Sequence, residues 1–492
     1  MNISLLIMLL FLLLSLYLGV RARKGKQMSM EEWAVGGRNF GTIFIFLLIA
    51  GEVYTTFTFL GGSGWAYSKG SAAYYVIAYI TLAYVFAYWL SPKIWSYATK
   101  NNLISQGDFY ESKYKSPYLG VLVSVVGAIA MVPYIVLQYK GLGIIVSQAS
   151  YQTISPAAAS CIGALVVTIY VLISGIHGSA WTAVVKDFLI LVVVIFIGIY
   201  LPFHYFGGVQ PMFEAVQQTN PQMLILADEG LSVSWFISTV LMTSMGFYVL
   251  PTTFAVVLTA KGEKQLRKNT MTLSLYTLLL LFVFFVGFTA FMQIPGLQGP
   301  EGDLSLLKLS VQTFDPWFIG IIGAAGLLTA LVPASVMLMS SSTGLARNLY
   351  KVFVPGATER QVSVASKLFL ILLSGISFYF ALTGGEALAL LNIMSYSLVI
   401  QIAPSLFLSF MKNNFVTKYG AFAGIVAGEV MVIYINMTGT TMSTLLPAAP
   451  QFIKDINTGF VAVLVNIIVM SIVSVITSRA VVNRKEVNQL ET

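Results

Sequence analysis

Charge is scarce in this chain. Only 9% of its 492 residues are Asp, Glu, Lys or Arg, against about 25% in an average soluble domain, and so thin a supply cannot cover a water-exposed surface. Cysteine is nearly missing: Cys161 stands alone, which excludes a disulfide framework and a cysteine metal cage. The two histidines, His177 and His204, are too few for a histidine-rich metal site. They fall near opposite ends of apolar runs, which argues against an intramembrane catalytic cluster. Segments of about ten residues alternating apolar and polar, the mark of a membrane β-barrel, are absent. The first apolar run, Ile3 to Val20, has neither a basic stretch before it nor a small-residue cleavage site after it. It therefore reads as a retained span rather than a signal peptide.

What is abundant is apolar: 57% of residues are hydrophobic and the mean hydropathy is +0.84. Apolar runs fall near 3–20, 41–67, 74–97, 118–149, 157–176, 181–206, 233–258, 271–294, 317–345, 364–383, 386–411, 419–438 and 458–478. Each approaches the ~20 residues that a membrane-crossing helix needs. The expectation is an all-α polytopic membrane protein with about thirteen transmembrane helices. The loops between the runs are short, so no soluble kinase or binding domain is expected within them.

The remaining charges sort by side. With the N-terminus outside and each span flipping sides, the inner loops hold most of the cations: Arg21, Arg23, Lys24, Lys26 and Arg38, then Lys93, Lys100, Lys113 and Lys115, then Lys261, Lys264, Arg267 and Lys268. Arg347, Lys351, Arg360, Lys367, Lys412, Lys418, Arg479, Arg484 and Lys485 follow on the same side. The outer loops hold only Lys69, Lys308 and Lys454, with Glu214, Asp228, Glu229, Glu301, Asp303, Asp315, Glu386 and Asp455. This separation predicts a cell-membrane protein with its N-terminus outside and its C-terminus cytoplasmic. The net charge of +8 is then a topology signal, and no nucleic-acid partner is implied.

Four ionisable residues lie within or at the edge of the runs: Glu52, Lys140, Asp187 and Glu429. Such residues mark ion or substrate paths by default. Glu52 sits in LLIAGEVYTTFTFLGGSGWAYSKG, whose Gly51, Thr55, Thr56, Thr58, Gly61, Gly62 and Gly64 suit close packing or a local helix break. Glu52 is either an ion or proton site or a structural partner. Lys140, well inside its run, needs a partner such as Glu52 or an anionic substrate. Asp187 follows Lys186, and a plain pair at the water interface is its competing reading; Glu429 reads as a helix-packing carboxyl. The Ser340–Thr343 hydroxyls carry little information alone, because Ser and Thr in apolar helices bond back to their own carbonyls. Tyr54, Tyr134, Tyr248 and Tyr396 are cavity candidates, each beside a Gly or Pro break or a polar residue.

Several of these stretches, in order along nearly the whole chain, resemble the sodium:solute symporter family. LGGSGWAYSKG looks like the end of its first core helix, and ISQGDFYESKYKSP like the inner loop that follows. LISGIHGSAWTAVVKDFLIL, with its acid at Asp187, GLLTALVPASVMLMSSSTGLARNLYK and IAPSLFLSFMKNNFVTKYGAFAGIVAGE are similar to three later elements. The resemblance implies a leucine-transporter-type fold of two inverted five-helix repeats, spans 2–6 at about 41–206 and spans 7–11 at about 233–411, with span 1 and spans 12–13 peripheral. The second repeat would break around Gly246 and Pro251.

The family's sodium site maps to carbonyls at Gly51 and Tyr54 and to three ligands at Thr329, Val332 and Pro333. The sequence departs from the pattern at the last two, where the family carries Ser or Thr. Na⁺, like other hard cations, prefers oxygen. Coupling to H⁺ through Glu52, or to an unorthodox Na⁺ site, is therefore expected; no cofactor beyond the coupling ion is implied. Val256 stands where many members carry an Arg, and the overall look is closest to the bacterial monocarboxylate branch. The resemblance implies cation-coupled symport of a short monocarboxylate by alternating access, with Thr55, Thr56, Lys140, Tyr248, Tyr396 and Gln401 as candidate substrate contacts. An amino acid or vitamin as substrate, and a sensor that keeps the transporter fold without transport, remain the alternatives.

Overall fold

The structure, a computed structural model, describes residues 2–25 and 28–490, with side chains through Ser478. Lys26, and the side chains of Arg479, Arg484 and Lys485, lie outside the described residues. The first half of the chain runs through α1 (Ile3–Arg23), α2 (Met30–Val35), α3 (Thr42–Val53), α4 (Gly62–Lys69), α5 (Tyr75–Lys100), α6 (Gln106–Tyr114), α7 (Pro117–Ala149) and α8 (Pro156–Phe206). The second half adds α9 (Val209–Thr219), α10 (Val233–Phe247), α11 (Pro251–Leu258), α12 (Glu263–Thr277), α13 (Leu280–Gln293), α14 (Ser305–Thr313), α15 (Pro316–Gly344), α16 (Lys351–Phe353) and α17 (Glu359–Thr383). It closes with α18 (Leu388–Val399), α19 (Ala403–Ser409), α20 (Lys418–Thr438), α21 (Met442–Leu445), α22 (Gln451–Lys454) and α23 (Thr458–Leu490). No strand occurs among the described residues.

Ten helical stretches are long and apolar enough to cross a membrane, eleven if the bent pair α10–α11 is one span, against the thirteen expected. Two of these stretches are longer than one crossing. α8 has 51 residues, about 76 Å at 1.5 Å per residue, while a hydrocarbon core is about 30 Å thick. It turns a corner at Gly175, whose φ of +56° only glycine adopts freely. A Cβ there would also meet the Trp33 carbonyl at 2.8 Å. The second is the 44-residue stretch Phe57–Lys100, which joins α4, beyond the break after α3, to α5.

α15 is the axis of the bundle. It is buried along nearly its whole length and packs on α7, α8 and α1. The peripheral helices α1, α17, α20 and α23 turn apolar side chains such as Leu10, Leu368, Val430 and Ile468 outward, as a lipid-facing surface does. Helix starts follow local chemistry: Ser105, Ser155 and Thr417 each accept a backbone N–H from the first turn of α6, α8 and α20. Two π-helical turns interrupt the regular pattern, at Phe57–Gly61 and Leu345–Tyr350, and such turns gather at functional sites.

Candidate functional site

Two spans break, one near the start of each expected repeat. α3 ends at Val53, and the chain bends through Tyr54 and Thr55 before the π turn. Hydroxyls hold this bend. Thr58 Oγ1 donates to the Val53 carbonyl at 2.6 Å and accepts from the Thr55 N–H at 3.1 Å, while Thr55 Oγ1 accepts from the Phe57 N–H at 3.2 Å. The Thr56 N–H donates to Gln138 Oε1 on α7 at 3.3 Å. The second break runs through Tyr248–Leu250, with α10 and α11 meeting at 41° and Pro251 opening α11. A break is one of the two readings of the Gly–Thr stretch, and the second break falls where the family resemblance puts it, between Gly246 and Pro251.

Around the breaks, Thr56 Oγ1, Gln138 Nε2 and Tyr248 OH are buried without a close protein partner, while Glu52 meets Thr252, Asn392 meets Tyr134 and Tyr396 meets Tyr79 without filling all their polar atoms. Buried polar groups in proteins are normally paired. A concentration of unpaired donors and acceptors at two helix breaks is what a small polar ligand or water would complete. Glu52, 3% exposed, faces Thr252 across the second break and lies within the field of Lys186. Tyr134 and Tyr396 also sense the Glu52 charge, and the ring of Tyr396 stands 5.6 Å from Tyr79 and 6.5 Å from Tyr134. Among the expected substrate contacts, Thr55 and Tyr396 join Glu52 around Tyr134, Thr56 lies at the same break, held by Gln138, and Tyr248 lies in the second break beside Phe247. Gln138, Thr252 and Asn392 join them unanticipated; single polar residues inside apolar helices give no sequence signal until a neighbour is known.

Two expected contacts go elsewhere. Lys140 Nζ donates to the backbone carbonyls of Gly384 and Glu386, at 3.2 and 2.5 Å, and faces Asp303. It ties α7 to the loop ahead of α18 rather than reaching the breaks. Gln401 is spent at the edge of the bundle: its carbonyl and Oε1 accept from Asn466 on α23, and its Nε2 donates to Ser397. Asp303, outside the spans, accepts the Leu388 N–H at 2.9 Å; burial pushes its carboxyl up to about 6, against the opposing pull of that N–H and of Lys140. Glu429 is buried on α20 with Oε1 unpaired, away from both breaks.

On the face that carries the α6 loop, Asp108 binds Arg347 at 3.2 Å, Asn348 Nδ2 at 3.0 Å and the Ile104 N–H at 3.1 Å. Ser105 and Ser124 both donate to Asn348 Oδ1. A cleft beside this network is lined by Ser105, Gln106, Pro251, Ser340, Ser341 and Thr343, which places the serine cluster of α15 beside Pro251 at the second break.

Of the residues expected at a sodium site, Thr329 alone on α15 carries a side-chain oxygen. Val332 and Pro333 offer no side-chain oxygen. The Thr329 hydroxyl is turned onto its own helix, donating to the Gly326 carbonyl at 2.6 Å. Asp187 is not at a water interface: Lys186 and Asp187 are 0% and 5% exposed, and Lys186 Nζ stands 2.7 Å from Asp187 Oδ1. The same ammonium donates to the Tyr54 carbonyl at 3.4 Å.

Residues 33–428 match the family model described as the sodium:solute symporter family. The chain is 58% identical over 480 residues to the uncharacterized symporter YhjB of Bacillus subtilis, covering 98% of each. It is 28% identical to a monocarboxylate transport permease protein of Rhizobium johnstonii, over 69% of this chain and 68% of that one. Its fold is similar to that of a Na⁺-coupled sialic acid symporter solved in a substrate-bound outward-open state. The TM-score is 0.79 at 17% identity, over 96% of this chain and 97% of that one.

Proposed function

The chain belongs to the sodium:solute symporter family, and from that premise we propose that it is a secondary transporter that carries a short monocarboxylate into the cell with a cation. The observation that carries the reading is the set of unsatisfied polar atoms where α3 and α10 break. Half-helix N-termini in a broken span favour an anionic group, and α11 begins at such a point. Buried Tyr134, Tyr248 and Tyr396 fit, in this reading, a small solute rather than a bulky one. A relative named as a monocarboxylate permease agrees with a carboxylate; the substrate's identity is this reading's own. We place thirteen crossings with the N-terminus outside and the C-terminus cytoplasmic, and the repeats at about 41–206 and 233–411, rocking about the two breaks.

The test is uptake by proteoliposomes of labelled short carboxylates, neutral amino acids and a vitamin, each with an imposed Na⁺ gradient, H⁺ gradient or none. Concentrative uptake of a short carboxylate supports the reading. Uptake confined to an amino acid or vitamin moves the substrate class, and absence of any concentrative uptake favours a sensor that kept the fold. H⁺ as the driving ion is the second reading, favoured by the missing oxygens at Val332 and Pro333. Full uptake with Na⁺ replaced by choline at fixed pH supports it; unchanged uptake after Glu52→Gln removes Glu52 from the coupling.

A further inference from the structure

The place where the family pattern sets a sodium ion is not left to solvent. On α3, a Cβ added at Gly51 would lie 3.6 Å from Lys186 Nζ and 3.6 Å from Val332 Cγ1. Lys186 therefore reaches from α8 to the point where the α3 break meets α15. Its amine donates to the Tyr54 carbonyl and pairs with Asp187, and the residue has no exposed surface. From α15 a methyl group of Val332 comes to this point, and neither Val332 nor Pro333 carries a side-chain oxygen. Ser335, one turn on, is engaged with the Val332 carbonyl at 2.6 Å and with Ser179 at 2.7 Å.

We propose that the Lys186 ammonium is a resident cation that takes the place of sodium between α3, α8 and α15, so that the protein binds no Na⁺ there and transports without it. This rests on the symporter reading above. The physical argument has two sides. A helix break with a free carbonyl at Tyr54 needs a positive charge or a donor, and Lys186 supplies one covalently. Asp187 neutralises that charge in the core, since a lone buried ammonium is too costly to keep. A sodium ion arriving at the Tyr54 carbonyl would have to displace the ammonium that already donates there and would meet its charge at short range, which weakens binding. Removing the ammonium inverts the balance: the Asp187 carboxylate and the Tyr54 carbonyl then face a vacated volume with net negative charge, which is a cation site in the making.

The experiment uses the full-length protein in nanodiscs. It reads ²²Na⁺ binding, and thermal stability in NaCl against choline chloride at constant ionic strength. The wild type should show neither saturable Na⁺ binding nor Na⁺-specific stabilisation. Lys186→Ala should gain both, as a ligand that binds only the folded state raises stability with concentration. Lys186→Ala with Val332→Ser and Pro333→Ser, which restores the missing hydroxyls, should bind at least tenfold more tightly. Lys186→Gln is carried in parallel in case the alanine variant fails to fold. Saturable Na⁺ binding by the wild type that persists unchanged in the Lys186 variants overturns the proposal, as does folded Lys186 variant protein that stays indifferent to Na⁺. Neither readout needs a transported substrate, so a failure here is distinct from a failure of the symport reading, which shows as absent uptake in every gradient.

Discussion

Replacing Gly141 by alanine tests whether the first break is braced by α7. An ideal Cβ on Gly141 would fall 1.8 Å from Thr56 Cγ2, 2.9 Å from Thr56 Cβ and 3.2 Å from Thr56 Oγ1. Carbon atoms in good contact sit about 3.5–4.0 Å apart, so Thr56 must retreat by roughly 2 Å. It has little freedom to do so. Its side chain is β-branched, its N–H is held by Gln138, and the π turn begins at the next residue. Rotation about χ1 moves the methyl but leaves Cβ at 2.9 Å, so the backbone of the break has to shift. Overpacking of this kind costs about 1–3 kcal/mol, and the upper end is expected here. If about 1.4 kcal/mol of that strain falls on the substrate-bound state, affinity drops about tenfold. Reversible unfolding in mixed micelles should rank the wild type first, Gly141→Ala last, and Gly141→Ala with Thr56→Ser between them, because serine removes the nearest clash and keeps the next. A Gly141→Ala protein as stable as the wild type, or no recovery from Thr56→Ser in that background, refutes the packing argument.

Three further outcomes are expected. The Asp303 carboxyl holds its proton up to about pH 6 in the folded state, against an ordinary value of 3.8. The unfolded chain therefore ionises first, and stability is fully present below about 4 and lost as pH rises to about 6, by up to about 3 kcal/mol; Asp303→Asn should flatten that slope in unfolding measured across pH 4–6. Asn348→Ala removes the group that joins Asp108, Ser105 and Ser124 and should cost about 1–3 kcal/mol, read as a lower unfolding midpoint, with no such loss for Asn413→Ala at an exposed position. Lys140→Met leaves the Gly384 and Glu386 carbonyls without their donor; a cysteine placed at Gly385 should then label faster with an impermeant maleimide than it does beside Lys140.

The sequence spoke clearly where physics is local. Apolar runs mark helices, and the Gly–Thr and Gly–Pro clusters at 51–58 and 246–251 mark breaks, because backbone irregularity inside a membrane needs small or hydroxyl-bearing residues to satisfy it. Rotation about a helix axis was not legible. Gln401 and Tyr396 are five residues apart, yet Tyr396 faces the breaks while Gln401 faces Asn466, and both flanks of that helix are apolar. Lys140 finds backbone carbonyls as partners, which no residue type advertises. Lys186 sits directly beside Asp187 near a predicted span end, and that adjacency suggested a surface pair; only the packing of α8 on α3 and α15 carries it into the core. The corner at Gly175 falls inside the apolar run 157–176, just ahead of the gap before 181 that separates it from the next run.

The two π turns give the chain slack. Each winds one more residue into its turn than the α-helix on either side. Losing a residue inside Phe57–Gly61 or Leu345–Tyr350 would let the turn tighten to α and leave both flanking faces in register. The same deletion within the buried run Ile319–Gly344 would swing everything beyond it by about 100°. Single-residue length differences between this chain and relatives that keep the bundle should therefore collect at these two turns.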